Sequence, residues 1–329
     1  MIKKVNEMKK TSKILSVLLI AVLLCGMLTG CGGENKVYKI GINQYVQHDA
    51  LDAATQGFMD KLTELLGEDN VEFDLKNASD DPANATTIAT QFVSDGVDLI
   101  MANATPSLQA SMAATGDIPI VATSITDFGS ALQIENWTGV TGTNVTGSAD
   151  LAPLDEQAAM IKELVPDVEK VGILYCSSES NSKYQAEVIE AELDAMEIEW
   201  KEYTVADTND IASVVTQACQ DVDCINIPTD NKIASSTEAV NQIAEAEGIP
   251  IIAGEEGICK GCGIATLSIS YYSIGEAAGE MAYEILVNGA DPAEMEIQYA
   301  TDLTKKYVAD RCTALDITVP DGYEEIVME

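Results

Sequence analysis

Ile118-Pro119-Ile120-Val121-Ala122-Thr123-Ser124 is an apolar run that ends in hydroxyl residues, and it returns as Ile249-Pro250-Ile251-Ile252-Ala253-Gly254-Glu255. The copies lie 131 residues apart (249 − 118). Lys39-Ile40-Gly41-Ile42 returns at the same spacing as Lys170-Val171-Gly172-Ile173. A looser echo pairs Thr90-Gln91 and Val97-Asp98-Leu99-Ile100 with Thr216-Gln217 and Val222-Asp223-Cys224-Ile225. A fixed period over several phrases points to duplicated architecture. This period is too long for a solenoid and suits two α/β halves of about 100–150 residues. Two such halves leave a cleft between them.

The chain around these phrases alternates strand and helix. A strand at Val37–Asn43 precedes a helix at Asp49–Leu66, with apolar residues at Leu51, Ala54, Phe58, Leu62 and Leu65 and a stop at Gly67. Strands at Val71–Leu75, Leu99–Ala102 and Ile118–Ser124 flank a helix opened by Pro82 and another capped by Thr105 with Pro106 in its first turn. The second half repeats the scheme with strands at 171–175, 198–204, 224–227, 251–253 and 264–267, and helices at 182–196, 210–219 and 233–247. This rhythm predicts an α/β fold of two Rossmann-like lobes with parallel sheets. Thr138–Gly147, rich in Gly, Thr and Asn, reads as the crossover, followed by a helix over Asp150–Leu164. The long helix Tyr271–Val287 is expected to return to the first lobe. The resulting division is 37–141 plus about 270–300 for lobe I, and 142–269 plus about 301–329 for lobe II.

Across 329 residues, 54 acids face 18 Lys and Arg, a net charge of −36. That balance excludes nucleic acid and anionic membrane surface as partners, since both need basic patches. The first thirty residues depart from it. Lys3, Lys4, Lys9, Lys10 and Lys13 precede an apolar run from Ile14 to Leu24, then Leu28-Thr29-Gly30-Cys31. A basic segment followed by a short apolar one is a secretory signal, too short for a membrane span. The cleavage phrase makes Cys31 the site of lipidation, residues 1–30 a lipoprotein signal peptide and 31–36 a tether on the outer face of the bacterial cell membrane. A chain with diacyl modification is firmly anchored.

Every predicted strand is followed by small polar residues, where open α/β sheets bind ligands. Thr105, Thr123 and Ser124 suit a carboxylate near helix N-terminal amides. Asp127, Asp230 and Glu255 suit an ammonium group. Gln44, His48, Asn181 and Asn231 suit orienting hydrogen bonds, and Tyr45, Tyr175 and Tyr271 suit flat apolar walls. The competing reading is that strand-end Thr, Asp and Asn are helix caps. Cys259-Lys260-Gly261-Cys262 invites redox or zinc chemistry, but Cys219 and Cys224 are the one other close pair and do not complete a zinc pattern. It reads as a loop element, disulfide-bonded after export. With one His, no Gly-x-Ser-x-Gly and no phosphate loop, no cofactor, metal or catalytic triad is expected.

Tyr45, His48-Asp49-Ala50-Leu51-Asp52, Gln91-Phe92-Val93-Ser94-Asp95, Ala104-Thr105-Pro106, Asn144-Val145-Thr146-Gly147, Leu174-Tyr175, Pro228-Thr229-Asp230-Asn231 and Glu255-Glu256-Gly257, in this order, resemble the ABC transporter substrate-binding lipoproteins of the tryptophan/tyrosine type. The resemblance implies a type I periplasmic-binding fold, no enzymatic activity, capture of a small amino acid-like ligand between the lobes, and a monomer that docks on ABC permease subunits. Ser270 stands where members often carry Asp before the Tyr-Tyr pair. The alternatives are an exported thiol-disulfide enzyme using Cys259 and Cys262, or a ligand-sensing ectodomain.

Overall fold

In a computed structural model, the structure describes residues 36–328; the signal, Cys31 and nearly all of the tether lie outside the described residues. The first half runs β1 (Tyr38–Gln44), α1 (Asp49–Leu66), β2 (Val71–Asn77), α2 (Pro82–Asp95), β3 (Leu99–Asn103), α3 (Thr105–Ala114), β4 (Ile120–Ile125), α4 (Phe128–Ala131) and β5 (Val145–Ala149). Local chemistry explains the boundaries. In α1, Leu51, Ala54, Phe58 and Leu62 make one buried stripe, and Asp49 and Asp52 sit in the first turn, where negative charge is favoured. Asp81 caps α2 by accepting from the amides of Ala83 and Asn84, and Gly96 ends it in the left-handed conformation. The strands β3, β4 and β5 are buried throughout, as strands covered on both faces must be.

The second half runs α5 (Leu154–Leu164), β6 (Lys170–Cys176), α6 (Ser180–Ala195), β7 (Glu199–Val205), α7 (Ile211–Cys219), β8 (Cys224–Ile227), α8 (Asn231–Ala234), α9 (Thr237–Glu247), β9 (Ile251–Ala253), α10 (Glu256–Cys262) and β10 (Ala265–Ser268). Then come α11 (Tyr271–Asn288), β11 (Gln298–Tyr299), β12 (Thr304–Tyr307), α12 (Ala309–Ala314) and β13 (Glu324–Glu325). Among the described residues one sheet has the order β11-β5-β4-β3-β1-β2 and the other β13-β12-β10-β9-β8-β6-β7. All pairs are parallel except β10 with β12. The repeated phrases fall on matching strands: β1 with β6, and β4 with β9.

Four sequence readings are corrected. Val145–Gly147, read as the end of the crossover, belong to β5, which pairs with β4, so the first sheet extends past residue 142. Its Gly and Thr hid the strand, yet the glycine is required: a Cβ on Gly147 would lie 1.9 Å from the Ala122 carbonyl oxygen. The sheets are joined instead through 150–153, 269–270 and 300–303. Ala104, at φ +82°, occupies the α3 cap position given to Thr105, which is the helix's first residue. The helix expected over 233–247 is two helices, α8 and α9. Cys259 and Cys262 lie on α10 rather than a loop, and among the described residues all six cysteines are free and buried.

The return of α11 to the first half is as expected: it packs along α1 and against β4 and β5. Two glycines let the helices meet. A Cβ on Gly275 would sit 2.1 Å from the Ala54 carbonyl oxygen, and one on Gly57 would sit 2.1 Å from that of Tyr272. Ser270 caps α11, its hydroxyl accepting from the Ser273 amide at 3.1 Å. An Asp would fill the same role.

Candidate ligand-binding site

The carboxyl ends of both sheets face one cavity. From the first half come His48 and Leu51 at the start of α1, Ser124 and Thr126 after β4, and Asp150 after β5. From the second half come Asn181 in α6, Thr229-Asp230-Asn231 after β8, and Glu255 after β9. Tyr271, first residue of α11, closes the hinge side and donates to Asp150 Oδ2 at 2.8 Å.

Four side-chain atoms on this wall are buried without a hydrogen-bond partner: His48 Nδ1, Ser124 Oγ, Asp150 Oδ1 and Asn181 Oδ1. A buried polar atom left unpaired costs about 1–3 kcal/mol. Four on one cavity wall make it the candidate ligand surface. Ser124 is also held at φ +57°, a left-handed conformation that side chains rarely adopt and that clusters at functional sites.

The carboxylates divide into two kinds. Asp230 accepts from the amides of Cys176 at 2.7 Å and Ile233 at 2.8 Å. Glu255 accepts from the amides of Gly257 and Ile258. Both are caps whose oxygens are already engaged. Asp150 has Oδ1 free. Burial raises the carboxyls of Asp150 and Asp230 above their ordinary value. It pushes that of Glu255 up to about 7. Behind the wall, Glu179 is 2 % exposed, and burial together with Asp230 pushes it up to about 8. Burial lowers His48, which is therefore neutral near pH 7. The cavity lining carries these acids and no Lys or Arg, which favours a cation in the cavity.

Among the described residues, two polar side-chain contacts bridge the halves directly. His48 Nε2 lies 3.3 Å from Asn231 Oδ1. The Lys232 ammonium pairs with the Asp80 carboxylate, both nearly buried.

Of the residues singled out in the sequence, His48, Ser124, Asn181, Asp230, Asn231, Glu255 and Tyr271 line this cavity. Six others lie elsewhere, and of these Tyr45 is buried in the core of the first half. Gln44 is bonded to Asp52, Thr55 and the Val46 carbonyl within the first half. Thr123 accepts from Ser148 beneath the sheet edge. Thr105 is buried at the head of α3. Asp127 caps α4. Tyr175 turns its hydroxyl to Glu202. Asp150, Thr126 and Thr229 went unassigned, and Asp150 was missed because β5 was missed: it follows that strand directly.

Cys259 and Cys262 do not form a redox site. Reactive thiols are exposed and acidic. These two are buried, and burial pushes the Cys259 thiol well above its usual value and that of Cys262 up to about 12.

Two Rossmann-like halves, joined three times and closing strand ends over a polar cavity, define the type I periplasmic-binding architecture. The chain belongs to the family described as ABC transporter substrate binding protein, whose model matches residues 39–324; this is a family of solute-binding proteins, not enzymes. It is 36% identical over 295 residues, 85% of each chain, to a tyrosine-binding protein of Clostridioides difficile. It is similar to a Streptococcus pneumoniae ABC domain solved in complex with L-Trp, at 32% identity and a TM-score of 0.85, over 89% of this chain and 100% of that one. A ligand-free, open substrate-binding protein with adhesive properties from Clostridium difficile, at 33% identity and the same coverage, gives a TM-score of 0.67.

Proposed function

We propose that this protein is the solute-binding component of an ABC importer, held outside the bacterial cell membrane by lipidated Cys31, and that it captures an α-amino acid with an aromatic side chain. The four unpartnered polar atoms converging between the halves carry the reading. Asp150 Oδ1 takes the ammonium group, and Ser124 Oγ takes part in holding the carboxylate. Support for the amino-acid class comes from the tyrosine-binding relative and the L-Trp complex. At 32% and 33% identity, the better match to the L-Trp complex than to the open form supports a closed conformation here. Ligand then binds an open form and stabilises the closed one by contacts made to both halves, which permease subunits recognise. No helix among the described residues is long and apolar enough to cross a membrane.

A thermal-shift and calorimetric screen of the twenty L-amino acids tests this. A true ligand at 100 times its Kd adds about 2.7 kcal/mol. Saturable binding of L-tyrosine or L-tryptophan is expected. Silence from every amino acid, with a response to a sugar or nucleoside, overturns the ligand class.

A further inference from the structure

Glu179 is a buried carboxylate that does not line the cavity but stands behind two residues that do. Its Oε2 accepts from Asn181 Nδ2 at 3.2 Å, from Asn231 Nδ2 at 2.6 Å and from the Asn231 amide at 3.1 Å; its Oε1 accepts from the Lys232 amide at 3.0 Å. Asn181 Nδ2 also reaches the Thr229 carbonyl oxygen at 3.1 Å. A side-chain amide with NH2 set among acceptors cannot flip without opposing oxygen to oxygen. Both amides are thereby fixed. Asn181 must present Oδ1 to the cavity, where it is unpartnered. Asn231 must present Oδ1 to His48 Nε2.

The second constraint passes on to the histidine. Facing an oxygen, Nε2 of the neutral ring carries the hydrogen, which leaves Nδ1 a bare acceptor. His48 Nδ1 is the buried, unpartnered nitrogen on the same wall. Together with Asp150 Oδ1, three of the four open positions accept hydrogen bonds, and Ser124 Oγ can do either.

We propose that Glu179 is a positioning residue that sets the polarity of the ligand cavity: by orienting Asn181 and Asn231 it makes the wall acceptor-rich and so selects a ligand head that brings N–H donors. This rests on the reading that the cavity holds the ligand. It predicts discrimination between an α-amino acid and its α-hydroxy counterpart, which has the same shape and carboxylate but no ammonium.

The probes are L-tryptophan and indole-3-lactate, measured by calorimetry on wild-type protein, Glu179→Met and Glu179→Gln. In Glu179→Met the amides lose their shared acceptor and can turn, so the preference for L-tryptophan falls by about tenfold or more. Glu179→Gln can keep its oxygen towards both asparagines and retains the preference. A residue that merely supports the fold would weaken both probes alike, and an unchanged ratio in Glu179→Met overturns the proposal. A second readout needs no ligand and no methionine variant: the side-chain NH2 signals of Asn181 and Asn231 in wild type and Glu179→Gln. Recorded above pH 8, where the Glu179 carboxyl is ionised, both are expected to move when the charged acceptor is lost; if neither moves, Glu179 does not hold them. Wild-type protein that binds neither probe and ignores L-tyrosine overturns the ligand class, and those NH2 signals then decide the role of Glu179 by themselves.

Discussion

Replacing Asp150 by Asn separates ligand binding from folding, because the two should move in opposite directions. Asp150 is 5 % exposed; Oδ2 is held by Tyr271 and Oδ1 is free. Asn keeps the shape, can still accept from Tyr271 and turns an NH2 towards the cavity. An ammonium group then loses a charge-assisted hydrogen bond of about 1.5–3 kcal/mol. That corresponds to a roughly 10- to 150-fold rise in Kd for an amino acid, read by calorimetry. Without ligand, the variant should melt no lower than wild type, since a buried charge with no counter-ion is gone. The pH dependence follows in sign. Burial raises the folded-state carboxyl of Asp150 above its ordinary value of 3.8. Above pH 3.8 the folded state therefore binds more protons than the unfolded one, and stability falls as pH rises until the raised value is passed. Asp150→Asn removes that part of the slope. Glu255 and Glu179, at about 7 and about 8, keep theirs, so ligand-free stability should still decline up to about pH 8. An Asp150→Asn protein with wild-type affinity for the amino acid, or one whose lost affinity tracks a lowered melting temperature, would refute the assignment.

Three other perturbations probe the frame around the site. Gly275→Val drives a side chain into the Ala54 carbonyl of α1; overpacking of this kind costs about 1–3 kcal/mol or more, visible as an earlier melting transition. Lys232→Met breaks the ion pair with Asp80 between the halves; the closed form should lose population, with faster ligand release in stopped-flow and a larger radius of gyration in scattering. Ser270→Asp keeps a capping oxygen for the Ser273 amide and should change stability by less than about 0.5 kcal/mol in urea melts.

The fold was legible because its strands are short apolar runs with hydroxyl or acidic ends, and because the duplication repeats them in register. β5 was not, since glycine and threonine carry little strand signal and its burial depends on β4 and β11 around it. The site was half legible. The strand-end rule brought Ser124, Asn181, Asp230, Asn231 and Glu255 to the cavity wall, and His48 and Tyr271 joined them from the helix starts. It could not tell an acid that caps a helix from one left open, because Asp127, Asp230, Glu255 and Asp150 all follow strands. Only the geometry of neighbouring amides separates them. Glu179 escaped for a related reason: it acts through other side chains, across 52 residues of chain to Asn231.

The placement of α11 has a bearing on how the polypeptide acquires its shape. Ile40, Ile42, Leu99, Met101 and Val121 of the first sheet are sealed by Ala278, Met281 and Ala282, and the sheet's last strand arrives at residues 298–299. Hydrophobic partners so distant along the chain meet late, and folding through them is slow. The amino-terminal half thus stays unfinished until residues 271–299, more than a hundred positions beyond its fifth strand, are there to cover it.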